Sequence, residues 1–146
     1  MFFTADQFVA HAVGDYVLQS SWMATEKTRR SVACLAHVAC YVLPFLFLTR
    51  DPRALAFIAG THFVIDRWRL ARYVVWAKNF LAPPVHEPVG MFEGGGGFWR
   101  SGNYAWERCR DTGYGPDTPP WMAVWLMIIV DSALHLICNY CALRWL

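Results

Sequence analysis

The chain has 146 residues, 56% of them hydrophobic and 16% charged, with a mean hydropathy of +0.25 and a formal net charge of +2. Ordinary soluble domains run at about 45–50% apolar and about 25% charged, so the composition points to a small integral membrane protein and excludes disordered, collagen-like and coiled-coil classes. The length suits one domain, residues 1–146, and so small a charge without a basic stripe gives no reason to expect a nucleic-acid partner.

A membrane-spanning helix needs about 20 mostly apolar residues. The pattern predicts an all-α, integral membrane four-helix bundle with helices over about residues 2–23, 32–48, 54–77 and 121–143. The first is the least apolar. Its Thr4, Gln7, His11, Asp15 and Gln19 nevertheless recur at helical spacing and form one polar stripe suited to face partner helices. Asp6, Asp15 and the lack of a basic start argue against a signal peptide. The second helix is uncharged, with a kink expected at Pro44. The third is apolar as far as Ile65. It then meets Asp66, Arg67, Trp68 and Arg69 and continues to Arg72, Tyr73, Trp76 and Lys78, a mixture that suits the headgroup layer.

Residues 79–120 read as a long irregular loop, marked by Pro83, Pro84, Pro88, Gly94–Gly97, Gly113, Gly115, Pro119 and Pro120. Its aromatics (Phe92, Phe98, Trp99, Tyr104, Trp106, Tyr114) suggest a lid on the membrane surface or over a site. The glycine run has no following Gly-Lys-Ser, so no phosphate loop is expected there, and His86 reads as solvated. The last helix carries Asp131 as its single formal charge. Of the five cysteines, Cys34, Cys40, Cys138 and Cys141 lie in apolar runs and read as small hydrophobes, whereas Cys109 stands alone in the polar loop.

Orientation follows from Lys and Arg near helix ends. Lys27, Arg29, Arg30, Arg67, Arg69, Arg72, Lys78, Arg100, Arg108 and Arg110 share one side, against Arg50, Arg53 and Arg144 on the other. The expectation is a multi-pass protein of a bacterial inner membrane, termini outside and the long loop cytoplasmic.

Ionisable residues inside such helices cost at least about 2.5–3.5 kcal/mol each and so need a reason. Here they pair at four-residue spacing: His11 with Asp15, His37 with Tyr41, His62 with Asp66, Asp131 with His135. Each pair shares a helix face. His11, Asp15, His37, His62, Asp66, Asp131 and His135 thus supply seven donors, enough for two four-coordinate divalent ions. Mixed N/O ligation suits Zn²⁺, ahead of Mn²⁺ or Fe²⁺. A single His–Asp pair reads more readily as a hydrogen-bonded link between helices; four matching pairs favour metal over packing or a proton relay.

Beside them stand Lys27, Arg67 and Arg69, candidates to hold a phosphate, while Asp15, Asp66 and Asp131 are candidates to take a proton. Cys138 and Asn139 lie on the His135 face, the latter placed to orient a ligand.

The run His11-x-x-x-Asp15-Tyr16-x-Leu18-Gln19-Ser20-x-x-Met23-Ala24-x-x-Lys27, with His37-x-x-x-Tyr41, Thr61-His62-x-x-x-Asp66 and Asp131-x-x-x-His135, resembles a family of small phage and bacterial membrane proteins known as domain of unknown function 3307. The resemblance covers most of the chain outside the loop 79–118. It implies the membrane-helix architecture and brings no activity. A weaker likeness is to membrane-embedded metal-dependent hydrolases and zinc-dependent phospholipases, by analogy of paired His and Asp alone. The expected function is metal-dependent hydrolysis of a phosphorylated or lipid-linked substrate at the bilayer. The alternative is a non-enzymatic phage-type protein whose structural metal site supports binding to a host membrane partner, and a homo-oligomer stays open in either reading. A transporter or proton relay is the third reading, disfavoured by the lack of an inverted repeat.

Overall fold

A computed structural model describes residues 5–82, 104–116 and 118–146. The expectations for Thr4, His86, Gly94–Gly97, Phe92, Phe98, Trp99 and Arg100 lie outside the described residues. Every regular element among the described residues is helical. In chain order these are α1 (Ala5–Ala12), α2 (Ser21–Glu26), α3 (Ser31–Val42), α4 (Pro52–Trp68), α5 (Leu70–Phe80), α6 (Trp106–Cys109) and α7 (Pro120–Trp145).

The chain forms two compact units, Met1–Arg69 with Ser132–Leu146, and Leu70–Asp131. In the first unit, the helix expected over 2–23 is two helices. α1 loosens into a π turn over Val13–Val17, in which the Leu18 N–H donates to the Val13 carbonyl. The chain then breaks, and Ser20 starts α2 by accepting the Met23 N–H at 3.3 Å on its hydroxyl. Gly14 allows the π turn to lie against α3: a Cβ there would come within 2.8 Å of Tyr41 Cδ2 and 2.9 Å of its carbonyl oxygen.

α3 tightens into a 3₁₀ turn over Leu43–Phe47, with Pro44, where the sequence predicts a kink, at its start. Pro44 has no N–H to continue the α-helical ladder, which accounts for the change. Asp51 caps α4, its Oδ1 accepting the Arg53 N–H at 2.8 Å, with Pro52 in the first turn.

The helix expected over 54–77 is interrupted at Arg69, whose φ of 51° is left-handed and whose N–H closes onto the carbonyls of Ile65 and Asp66. Nothing in the local sequence signals that stop. Arg67 contributes from the tertiary side: its guanidinium donates to the carbonyls of Thr28 (2.7 Å) and Arg29 (3.3 Å) and to the Ser31 hydroxyl (3.3 Å).

In the second unit, part of the expected loop is packed. Trp106 of α6 stacks on Tyr73 of α5 at 4.6 Å, and the Trp76 indole N–H donates to the Tyr104 carbonyl at 3.0 Å. Gly113, at φ 82°, sits where a side chain would strike the Arg72 carbonyl. Cys109, expected in a solvated loop, is buried at the end of α6. All five cysteines are free thiols.

Of the four expected spans, α7 is the one among the described residues long and apolar enough to cross a membrane; α4, at 17 residues, rises only about 25 Å against a hydrocarbon core of about 30 Å. The interior holds polar as well as apolar side chains. Gln7, His11, Asp15, His37, His62, Asp66, His135 and Asn139 are buried, while Val17, Val32, Phe47, Trp121, Trp125 and Ile129 are exposed. A small apolar cluster of Ala10, Tyr41, Phe45, Ala54, Ile58 and Ala142 borders the buried polar residues.

Candidate metal centre

Five segments of the first unit bring the polar residues together. α1 carries Gln7 and His11, the π turn Asp15, α3 His37 and Tyr41, α4 His62 and Asp66, and the C-terminal half of α7 His135 and Asn139. Spacing of four places Gln7, His11 and Asp15 on one face, and all three are buried as the stripe requires.

At the centre, Asp15, His37, His62 and Asp66 offer ligand atoms within 4.8 Å of one another. His37 Nε2 stands 3.1 Å from Asp15 Oδ1, 3.2 Å from Asp66 Oδ2 and 3.0 Å from His62 Nε2. His62 Nε2 lies 3.1 Å from Asp66 Oδ2 and 4.0 Å from Asp15 Oδ1. A tetrahedral ion with bonds of about 2.0–2.2 Å separates its ligand atoms by about 3.3–3.6 Å, so these edges bracket such a site. His37 Nε2 carries one proton at most, so it donates to one of the two carboxylate oxygens that face it, and its contact with His62 Nε2 depends on the tautomers of both rings. A cation between the lone pairs would satisfy all of these contacts together.

A cation already touches the cluster. Lys27 Nζ is 2.8 Å from Asp66 Oδ2, 3.7 Å from Asp15 Oδ1 and 3.4 Å from His37 Nε2. It comes from just beyond α2, whose N-cap at Ser20 sets the helix that delivers it. In the sequence Lys27 reads as a phosphate contact or as a snorkelling lysine at the membrane interface. Its part as counter-ion to two buried carboxylates had no local signal, because twelve residues separate it from Asp15 and a helix break lies between.

Around the centre stands a second ring of contacts. Tyr41 stacks on His62 with centroids 3.6 Å apart, and its hydroxyl lies 3.0 Å from His11 Nδ1. Asn139 donates to that hydroxyl at 2.6 Å rather than to one of the expected ligands, and Gln7 ties α1 to α7 by donating to the Leu136 carbonyl at 2.7 Å. His11 Nε2 is 3.9 Å from Asp15 Oδ2, and His135 Nε2 is 3.5 Å from Asp66 Oδ1. Six of the seven expected donors thus meet in one unit. Asp131 belongs to the second unit, half-buried one helical turn before His135 on α7. Of the basic residues, Lys27 is at the centre, Arg67 is committed to the 28–31 segment, and Arg69 ends α4.

A family model described as "Protein of unknown function (DUF3307)" matches residues 3–83, more than half of the chain, and the chain belongs to that family. The matched segment contains Asp15, Lys27, His37, His62 and Asp66 and ends before α7. No curated protein and no solved structure matches the chain.

Proposed function

We propose that this member of the domain of unknown function 3307 family is a membrane-embedded, divalent-metal-dependent hydrolase acting on a phosphorylated or lipid-linked substrate. The observation that carries the reading is the convergence of His37 Nε2, His62 Nε2, Asp15 Oδ1 and Asp66 Oδ2 at edges of 3.0–4.0 Å. Two imidazoles and two carboxylates are a donor set suited to Zn²⁺, with Mn²⁺ and Fe²⁺ as alternatives. A divalent ion bound there supplies a water of lowered pKa and a clamp for phosphoryl oxygens.

The chain's own groups divide the rest. Asp15 and Asp66 cancel the ion's charge, which keeps the cost of burying it low. Tyr41 and Asn139 hold the surrounding imidazoles in place. Lys27 yields the carboxylates to the ion and turns its three N–H donors to a substrate phosphate. Arg67 has no such part, since its donors are used by Thr28, Arg29 and Ser31.

The membrane setting is supported by the apolar exposure of the helices around a polar interior, and by α7. Residues in multi-pass helices with the 79–120 segment on the cytoplasmic side would fit the Lys/Arg asymmetry.

A second reading is favoured by Lys27. Its ammonium, 2.8 Å from Asp66, offsets one of the two carboxylate charges without metal, so the network could serve as polar glue between helices in a non-enzymatic protein that binds a membrane partner. Elemental analysis of detergent-purified protein separates the two. At least one equivalent of zinc, manganese or iron, lost in His62→Ala, together with metal-dependent phosphate release from phosphatidate vesicles or p-nitrophenyl phosphate, supports the hydrolase. Metal-free protein that stays folded and inactive after zinc reconstitution rules it out.

A further inference from the structure

We infer that the same two carboxylates serve a second divalent ion, held on their other oxygens by His11 and His135; this rests on the metal reading above. Asp15 turns Oδ1 to the His37 side and Oδ2 to His11, whose Nε2 is 3.9 Å away. Asp66 turns Oδ2 to His37 and His62, and Oδ1 to His135, whose Nε2 is 3.5 Å away. Each carboxylate therefore has one oxygen toward each pair of imidazoles.

The imidazole geometry matches on the two sides. Two rings sharing a tetrahedral ion through Nε2 have centroids about 5.2 Å apart, from bonds of about 2.05 Å. The pair His37 and His62 measures 4.9 Å, and the pair His11 and His135 measures 5.8 Å. His11 is also pre-oriented. Its Nδ1 is held by the Tyr41 hydroxyl, which leaves Nε2 buried and without a hydrogen-bond partner among the described residues. In the tautomer that frees Nε2, Nδ1–H donates to the Tyr41 oxygen, the usual support for a ligating histidine.

Bridging by both carboxylates sets the two ions about 3.5–4 Å apart, the spacing of two-metal phosphoryl-transfer sites. Within the first unit, Asp15 and Asp66 neutralise one divalent ion, so the second ion is the weaker one.

Zinc binding to the whole chain in detergent tests this, by calorimetric titration and by metal analysis after gel filtration. The wild type should take up two equivalents in two steps. His135→Ala and, on a different helix, His11→Gln should each take up one, with helicity by circular dichroism unchanged. If either variant misfolds, the other decides. One equivalent in the wild type, or two retained in a folded variant, overturns the second site and leaves the four-donor site standing. No zinc in the wild type overturns both readings.

Discussion

Lys27→Met gives opposite signs in two measurements, and the signs follow from the geometry. The Lys27 side chain is 15% exposed, against 6% for Asp15 and 2% for Asp66, and its ammonium is 2.8 Å from one carboxylate and 3.7 Å from the other. Removing one partner of such a buried pair costs about 3–5 kcal/mol, and residual exposure places this case near about 3 kcal/mol. Without metal, Lys27→Met should lower the thermal midpoint in detergent by about 12–24 °C, at about 4–8 °C per kcal/mol for a unit of this size. With metal, the ion must displace that ammonium from both carboxylates, and the variant has nothing to displace. The same 3 kcal/mol, at about 1.4 kcal/mol per decade, raises zinc affinity by up to about 100-fold. Zinc should then rescue the variant's midpoint more than the wild type's. An unchanged metal-free midpoint, or a zinc affinity that falls, would refute the reasoning, because either would mean that Lys27 and the ion do not compete for Asp15 and Asp66.

Gly14→Ala should destabilise the protein by about 1–3 kcal/mol through overpacking against Tyr41 and should lower zinc content by moving Asp15; thermal unfolding and metal analysis together check it. Tyr41→Phe leaves the buried Asn139 amide without its acceptor, an expected loss of about 1–3 kcal/mol seen as a lowered thermal midpoint. Arg67→Ala should reduce stability by releasing the Thr28 and Arg29 carbonyls; once stability is matched by temperature, KM for phosphate release should not change, and a large rise in KM would return Arg67 to the substrate site.

Much of the centre was legible because a helix turns spacing into direction. The four-residue pairs that place His11 with Asp15 and His62 with Asp66 on one face need only the helical period, and all four residues are buried together. The same period places Asn139 on the buried face of His135. The third helix shows the limit: its pattern runs on through Lys78, yet the backbone turns left-handed at Arg69, with Arg67 held by residues nearly forty positions earlier. The first helix shows another: α1 loosens into a π turn at Asp15, where Gly14 lies close against Tyr41 of a separate helix.

Composition and periodicity alone determined an all-α chain whose helices carry histidine and aspartate on shared faces, because both depend on local spacing. Tertiary structure decided which oxygen of each aspartate faces which imidazole, that Lys27 sits among them, and that Arg67 is spent elsewhere. Those outcomes depend on how separate helices rotate and approach, and rotation about a helix axis is set by packing against neighbouring helices, which no local run of residues encodes.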